Sequence, residues 1–381
     1  MDKIKIAHII TQLELGGAQE NTLYTVTHLD PQVYDTYLIT GPGGLLDQEA
    51  AAKLGDRLIY IKSLARPVNP WQDLLSLIRL YGVCRRHRFD IVHTHSSKAG
   101  ILGRWAAKFS GTRLIIHTFH GFGFNDFQKP WTRWFYIWLE KITARISAKL
   151  IVVSQENIRK AQSVRIGTPG QFQVIHSGIK VASYQNLDLD IPAEKKKFGL
   201  PPSDPLVGMV ACFKPQKAPL DFIKIAKKVS EKMPTVKFIL VGDGELRPDI
   251  EKLIKELSLE NTVILTGWRR DVNVLIQLVD IVVLTSLWEG LPRVILEAFV
   301  SGKPVICTPA DGVKEVIKEG ETGILVDFHN VDTFAGNIIW LIENPAQAKK
   351  IALAARRVIQ GSFDIDVMVQ EQDCFYWDNL R

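Results

Sequence analysis

Short runs of apolar, mostly β-branched residues recur along the first half of the chain, and longer helical patterns separate them. Each run is continuously apolar rather than alternating, which is typical of strands buried on both faces of a parallel sheet. Strands that alternate with helices predict a doubly wound α/β layer. The predicted strands are residues 4–10, 37–40, 58–61, 91–94, 114–118 and 150–153, with helices at residues 18–28, 71–87 and 131–149.

The pattern breaks after Ile179 and then restarts. A polar segment with three consecutive lysines and a proline cluster at residues 201–205 separates the two halves. The sequence therefore predicts two domains, residues 1–180 and 181–363, and a final amphipathic helix at residues 364–381 that packs back on the N-terminal domain. The predicted strands of the second domain are residues 207–211, 237–241, 262–265, 281–285, 304–307 and 324–326.

The net charge of +6 is unevenly distributed. Residues 1–180 contain 23 Lys and Arg against 13 Asp and Glu, whereas the remainder is slightly acidic. A basic first half indicates an anionic partner, and nucleic acid, anionic lipid and a phosphorylated substrate all qualify. The N-terminus lacks the layout of a signal peptide, and no apolar run approaches the ~20 residues of a membrane span. With four scattered cysteines expected to be reduced thiols, the sequence predicts a cytoplasmic protein.

The strongest chemical signal lies where the predicted strand 281–285 runs into a turn and a helix. Glu289 follows the strand, and ligands of open α/β sheets bind at the carboxyl ends of strands. Pro292 stands in the first helical turn, where its missing N–H costs nothing. The free N–H groups of residues 291 to 294 suit an anion such as a diphosphate. Glu297, about one turn further on, can accept two hydrogen bonds from a vicinal diol such as ribose.

A simpler interpretation of the same segment remains open. Arg293 and Glu297 have the spacing of an ordinary surface ion pair on a helix, and Glu289 could be a solvated loop acid. The strand, turn and helix start that surround these residues favour the functional interpretation.

Glycines and histidines also stand near strand ends of the first domain. Gly16 and Gly17 follow the first strand and let the backbone approach a phosphate or sugar closely, although a simple tight turn has the same pattern. His120 ends a strand, so its ring should project at the mouth of the sheet, and a structural histidine is the alternative. His93 and His95 could share one face like metal ligands, but no third ligand is evident and we predict no metal site.

The two glutamates eight apart in residues 289–297 closely resemble the signature of the family 4 retaining glycosyltransferases of the GT-B fold. The resemblance extends from Ile6 to about Phe363. It implies two Rossmann-like domains whose parallel sheets face each other across a cleft, with the acceptor on the N-terminal domain and the nucleotide-sugar on the C-terminal one. The other matching segments, in order, are residues 16–18, 90–96, 117–121, 152–154, 215–217, 241–244 and 267–272.

The resemblance also implies roles for individual residues. Glu289 would hydrogen-bond hydroxyls of the donor sugar and Glu297 the ribose, while Lys217 would meet the diphosphate as a point charge. Trp268 and Arg269 would line the base site, mostly through backbone atoms. The predicted catalytic residues are His120 and Glu289, and the remaining predicted donor-binding residues are Gly16, Gly17, Lys214, Gly242, Gly290, Leu291, Pro292 and Arg293.

One position departs from the family pattern. Members usually carry an arginine five residues before the lysine that corresponds to Lys217, and Cys212 stands there in this chain. Lys214, Arg293 or the N-terminus of the helix after Glu289 would then supply the missing positive charge.

Residues 122–149 combine many aromatic and basic side chains. At 3.6 residues per turn the tryptophans share one face, and Arg133, Lys141, Arg145 and Lys149 share another. The favoured interpretation is a core helix with a solvated basic face. The alternative is a helix that lies on a membrane surface, where tryptophan and basic residues suit the headgroup region.

The sequence therefore predicts a metal-independent, retaining hexosyltransferase. It would move a sugar from a nucleotide-sugar, with UDP-sugar the expected donor, to a hydroxyl of a lipid-linked or saccharide acceptor in bacterial cell-envelope, exopolysaccharide or glycolipid synthesis. No cofactor is expected, because the nucleotide-sugar is a substrate, and no nucleic acid partner. An anionic membrane surface, at the inner face of the cell membrane, is left open as a further partner. The alternatives are a nucleotide-sugar epimerase of the same fold and a non-catalytic binder of anionic lipid.

Overall fold

The computed structural model describes residues 3–185, 187–359 and 361–380. The chain divides into two units, one formed by Met1–Gly178 with Ile365–Arg381 and the other by Ile179–Asp364. Met1, Asp2 and Arg381, which the predicted domain ranges include, lie outside the described residues, as do Asn186 and Gln360.

The described part of the first unit holds a sheet of seven strands, and every pairing in it is parallel. Helices connect successive strands, as parallel pairing requires. The elements are β1 (Ile4–Gln12), α1 (Gly17–His28), β2 (Tyr34–Gly41), α2 (Asp47–Leu54), β3 (Leu58–Tyr60), α3 (Pro70–His87), β4 (Ile91–His95), α4 (Ser97–Ser110), β5 (Leu114–Phe119), α5 (Pro130–Ala144), β6 (Lys149–Val152), α6 (Gln155–Ser163) and β7 (Phe172–Val174).

The second unit repeats this architecture with six parallel strands among its described residues. Its elements are α7 (Ile191–Lys197), β8 (Leu206–Val210), α8 (Pro219–Lys232), β9 (Lys237–Val241), α9 (Arg247–Glu256), β10 (Val263–Gly267), α10 (Val272–Leu278), β11 (Ile281–Leu284), α11 (Arg293–Val300), β12 (Val305–Cys307), α12 (Val313–Val316), β13 (Ile324–Leu325), α13 (Val331–Glu343) and α14 (Pro345–Val358). The predicted pair of doubly wound, Rossmann-like α/β layers is confirmed.

The strand order reverses once in each sheet. The order is β3-β2-β1-β4-β5-β6-β7 in the first unit and β10-β9-β8-β11-β12-β13 in the second. The chain winds outward from β1 in one direction and then from β4 in the other, and it does the same from β8 and β11. Loops that leave the carboxyl ends of two such strands diverge, and the crevice between them is where open α/β sheets bind ligands.

The last helix, α15 (Ile365–Leu380), packs on the first unit. Tyr376 is fully buried there in a cluster with Ile6 and Ile116. Its hydroxyl lies 2.6 Å from Nδ1 of His93. Gly178, the last residue before the second unit, lies against Ile365, where the chain returns to the first unit. Packing requires a glycine there, because a Cβ on Gly178 would lie 2.5 Å from Cα of Ile365.

Two sequence-based element predictions were wrong in part. The predicted helix 131–149 ends at Ala144, and Lys149 begins β6 instead. The N–H of Ala148 donates to the carbonyl of Ile115 at 2.8 Å. The chain therefore joins the sheet before the helical sequence pattern ends. The strand β7 was missed because it is only three residues long and not fully buried.

The favoured core interpretation of α5 was also wrong. Trp131 and Trp134 are 69% and 65% exposed, and Trp138 is exposed as well. The opposite face is anchored instead, because Glu140 forms a fully buried ion pair with Arg104 of α4 at 2.6 Å. A buried, uncompensated carboxylate would be costly, so this pair fixes the rotation of α5 and leaves its tryptophans outside. None of the helices in the described ranges is long and apolar enough to cross a bilayer.

Candidate functional site

The loop after β11 is tied to the loop after β8 at the point where the second sheet reverses its order. The Thr285 hydroxyl donates to the carbonyls of Lys217 and Ala218 at 2.8 and 3.0 Å. The side chain of Gln216 donates to the carbonyl of Trp288, and the N–H of Leu287 returns a bond to the carbonyl of Gln216, both at 2.8 Å. These bonds hold the two loops in register and so fix the side chains that follow.

Lys217 and Glu289 form an ion pair in this crevice. The ammonium donates to Oε1 of Glu289, and the two side chains are only 18% and 7% exposed. Burial alone would lower the pKa of Lys217, but the neighbouring Glu289 carboxylate outweighs it and holds that pKa above its usual value. Sequence reasoning named both residues without predicting that they touch. The loops therefore bring a cation and an anion together in a site that is largely shielded from solvent.

The segment after Glu289 leads directly into α11. Gly290 and Leu291 are buried, Pro292 caps the helix, and no side chain caps it by a hydrogen bond. The sequence predicts N–H donors at residues 291 to 294, but Pro292 carries no N–H, so the backbone donors are those of residues 291, 293 and 294. A helix start without a side-chain cap, with backbone N–H groups at these three residues, still suits an anion.

Arg293 and Glu297 do pair along α11, with 3.6 Å between NH2 and Oε1. The simpler interpretation of an ordinary surface pair does not hold, because both side chains are largely buried. Lys214 lies three residues before Lys217 on the loop after β8, and Cys212, where an arginine was expected, lies on the same loop and is half-buried. In the sequence, Cys212 and Lys214 precede Lys217, and Arg293 and Glu297 follow Glu289.

The loops after β9 and β10 extend the same edge of the sheet. A Cβ on Gly242 would lie 1.9 Å from the carbonyl oxygen of Ala211, so this glycine is required for contact between neighbouring loops. Its N–H donates to the carbonyl of Gly267 at 3.0 Å, immediately before Trp268. Arg269 is held by two bonds to Asp271, at 2.8 and 2.6 Å. Because that guanidinium is engaged, a role through backbone atoms fits it better than a side-chain role.

Gly16, Gly17 and His120 belong to the first unit. Gly16 stands at the N-cap of α1 in an extended conformation and Gly17 is the first helical residue. A Cβ on Gly16 would lie 3.0 Å from the flexible end of the Gln19 side chain, which can move aside, so packing alone does not require glycine here. His120 follows β5, and burial lowers its pKa to about 4. Its ring is therefore neutral near pH 7.

His120 ends a chain of three hydrogen-bonded imidazoles. Its Nε2 lies 3.1 Å from Nδ1 of His95, whose Nε2 lies 3.0 Å from Nδ1 of His8. The two outer nitrogens, Nδ1 of His120 and Nε2 of His8, are buried and have no hydrogen-bond partner among the described residues. Each neutral imidazole carries a single N–H, so the three tautomers are linked. The ring of His95 decides whether Nδ1 of His120 donates or accepts.

His8 is a third histidine beside His93 and His95, and its place in this group was not predicted from the sequence. It is paired with His93 across β1 and β4, and the three rings place one nitrogen each within 4.8 Å of one another, close enough for the three to be considered as metal ligands. Both nitrogens of His93 already have partners at 2.6 Å, the hydroxyls of Tyr376 and Thr118. The geometry is that of a hydrogen-bonded cluster. The sequence signal for it is a histidine in β1 at the position that pairs with His93 of β4.

Two family models match the chain. The model described as Glycosyltransferase Family 4 matches residues 15–183, and the model described as Glycosyl transferases group 1 matches residues 190–358. The UDP-Gal:alpha-D-GlcNAc-diphosphoundecaprenol alpha-1,3-galactosyltransferase of Escherichia coli is 33% identical over 340 residues, covering 88% of this chain and 87% of that protein. The N-acetyl-alpha-D-glucosaminyl L-malate synthase of Bacillus anthracis is 26% identical and covers 82% of this chain and 81% of its own length.

Solved structures share the fold. HepE from Anabaena, crystallised with UDP and glucose, superposes with a TM-score of 0.84 at 21% identity, over 98% of this chain and 100% of that one. The sucrose-phosphate synthase of Thermosynechococcus elongatus gives a TM-score of 0.83 at 19% identity, over 99% of both chains. At this identity the likeness concerns the fold, which is the predicted GT-B architecture.

The buried histidines predict a loss of stability in mild acid. Burial lowers the pKa of His8 to about 3 and that of His120 to about 4, whereas an unfolded histidine titrates near pH ~6.5. Below that pH the unfolded state binds protons that the folded state does not, so stability falls as the pH falls. Each such histidine costs about 1 kcal/mol between pH ~6.5 and ~5.5. Urea unfolding across this range should show the slope.

The variant His8→Leu should flatten that pH dependence, because it removes one histidine whose protonation only the unfolded state allows. The exposed His28 gives a matched control, and His28→Gln should leave the slope unchanged. A stability that is constant from pH 7.5 to 5.5 in the parent protein would contradict the neutral, buried cluster.

Proposed function

Because the chain belongs to family 4 of the glycosyltransferases, we propose that it transfers a hexose from a UDP-sugar to a hydroxyl of a lipid-linked saccharide, with retention of configuration and without a metal. The observation that carries the donor half is the Lys217–Glu289 pair beside the uncapped start of α11. The named acceptor of the Escherichia coli relative, a sugar on diphosphoundecaprenol, supports the acceptor half, and the UDP bound by HepE supports the nucleotide.

The diphosphate would displace one side of the ion pair. Its phosphate oxygens would accept hydrogen bonds from the N–H groups at the start of α11. Lys217 would turn from Glu289 to the same phosphate oxygens. Glu289, released from its cation, would accept hydrogen bonds from donor-sugar hydroxyls. In this proposal the pair keeps both side chains ordered in the crevice before the donor arrives, and only the turn of Lys217 toward the phosphate is left for the binding step.

The second cation on the diphosphate would be Arg293 or Lys214, since Cys212 offers none. Arg293 stands in the first turn of α11, next to the backbone donors, and its bond to Glu297 is long at 3.6 Å. Glu297 would then be left to receive the ribose hydroxyls. Trp268 and Gly242 would line the base side of the same edge.

For the chemical step we propose attack by the acceptor hydroxyl on the face that the diphosphate leaves, with a donor phosphate oxygen assisting its deprotonation. The protein would contribute positioning and stabilisation of the leaving diphosphate. His120, neutral near pH 7, would give or accept one hydrogen bond to a substrate group without adding charge.

We also propose that the first unit works at an anionic membrane surface. The exposed tryptophans of α5 are the kind of side chain that enters the headgroup region. Lys129 and Arg145 are exposed at the two ends of that helix. Attachment would bring the protein to the cytoplasmic face of the membrane, where a lipid-linked acceptor is displayed.

A product assay tests the transferase proposal. Purified protein with a panel of labelled nucleotide-sugars and a polyprenyl-diphosphate-linked saccharide should move label into lipid, with UDP-sugars preferred. The transfer should survive EDTA, because Lys217 and the α11 N–H groups meet the diphosphate. Label that appears only in an epimerised nucleotide-sugar would mean an epimerase. Complete loss in EDTA with specific rescue by manganese would contradict the metal-free donor site.

The two glutamates should have separable effects. Glu289→Gln should lower turnover about a hundredfold or more, because it removes a charged acceptor at the donor sugar, while Glu297→Ala should mainly weaken UDP binding. Steady-state kinetics and calorimetric titration with UDP measure the two effects. The exposed Glu256 of α9 supplies a control, Glu256→Gln, which should change neither. Parent-like turnover in both test variants would reject the assignment.

Vesicle flotation tests the membrane proposal. The parent protein should bind anionic but not neutral vesicles, and less so at high salt, since each basic residue near the surface contributes ~1 kcal/mol that salt screens. Replacing Trp131, Trp134 and Trp138 together by Ser should abolish binding. Trp340→Ser, on the exposed surface of α13, is the control and should bind normally. A parent protein that ignores anionic vesicles at low salt would refute surface attachment.

A further inference from the structure

A cavity of about 590 Å³ opens at the point where the first sheet reverses its strand order. Its size falls within the ~300–1,000 Å³ typical of small-molecule pockets. It lies entirely within the first unit, and the donor residues of the second unit take no part in it. Its lining comes from the end of β1, from Gln19 of α1, from the loop before α3 and the start of that helix, from the first turns of α4 and from the middle of α5.

The two ends of the cavity differ in chemistry. Thr11 and Ser96, at the carboxyl edge of the sheet, present hydroxyls that bond each other at 2.7 Å. Further along α4, Ile101 and Leu102 form an apolar wall opposite Leu139 of α5. A ligand that is polar at one end and apolar at the other would match this division.

The cations that line the cavity are already paired. Arg66 lies 2.5 Å from Glu14, and Lys98 lies 2.6 Å from Asp73. Of the lining residues only Arg66, Asp73 and Lys98 carry charge, and with Glu14 beside Arg66 the cavity has no net positive charge that would attract a phosphate or nucleotide. The cavity therefore favours an uncharged chain over an anion.

Exposed apolar residues stand beside the cavity on two of its helices. Phe135 both lines the cavity and belongs to the exposed aromatic face of α5. On α3, immediately after the lining residue Pro70, an exposed row of Trp71, Leu74 and Ile78 follows helical spacing. Exposed apolar patches of this kind mark binding surfaces. A chain that leaves the cavity would emerge between surfaces that can contact lipid.

We propose that this cavity holds the part of the prenyl chain nearest the diphosphate in the lipid-linked acceptor. The assignment rests on the proposed function and adds to it a location on the protein and a chain-length requirement. The apolar wall of Ile101, Leu102 and Leu139 takes the hydrocarbon, and the hydroxyl-lined end faces the polar head that carries the reacting sugar. Ordering the chain here would hold the polar head of the acceptor at the carboxyl edge of the sheet, near Thr11 and Ser96.

The test compares acceptors that share one saccharide diphosphate and differ only in the attached group: a short, water-soluble prenyl chain or a methyl group. Neither forms micelles or enters bilayers, so membrane attachment does not contribute. The parent protein should show a KM about tenfold lower for the prenyl acceptor, the effect expected from modest apolar burial. Leu102→Trp, which fills the cavity, should abolish that preference while leaving the KM of the methyl acceptor and UDP binding unchanged.

Two further variants guard against a folding artefact. Leu139→Asp places a carboxylate on the opposite wall and should give the same selective loss, and Leu353→Trp, at an exposed leucine of α14, should retain the parent preference. Thermal melting verifies that each variant is folded. Transfer to both acceptors with equal KM, or a preference that survives Leu102→Trp and Leu139→Asp, would overturn the cavity assignment and leave the transferase intact. Transfer to neither acceptor would overturn the proposed function as well.

Discussion

The structure depends on one constraint, which is that every strand of both sheets is parallel to its neighbours. Parallel strands need helical crossovers, so all loops that can carry chemistry gather at the carboxyl edge of each sheet. The single reversal of strand order then opens one crevice in each unit. In the second unit Lys217 and Glu289 occupy the loops on either side of that crevice, and in the first unit a mixed polar and apolar cavity opens there.

The sequence predicted the fold well because buried parallel strands are read from continuous apolar runs, which need no knowledge of tertiary partners. It failed where tertiary contacts decide the outcome. The α5 pattern looked like a core helix because aromatic residues usually lie inside. The orientation of that helix is instead set by the Arg104–Glu140 pair, a contact 36 residues apart in sequence. The short edge strand β7 carried too few apolar residues to be recognised.

The sequence predicted candidate residues for the site, but it did not predict the long-range contacts between them. The Glu289 to Glu297 segment was recognisable because one strand, one turn and one helix carry it. The pairing of Lys217 with Glu289 spans 72 residues and depends on the Thr285 and Gln216 bonds, which no spacing rule reveals. The same holds for His8, which meets His95 only because β1 and β4 are neighbours. Local motifs therefore identify candidate residues, and sheet topology decides which of them act together.

The nucleotide diphosphate should bind in the crevice between β8 and β11. A crystal structure of the full chain with UDP tests this binding mode. We expect the diphosphate at the start of α11, within hydrogen-bond distance of Lys217 and of the backbone N–H groups of residues 293 and 294, with the Lys217–Glu289 contact broken. UDP bound elsewhere, with that contact intact and the start of α11 unoccupied, would contradict it.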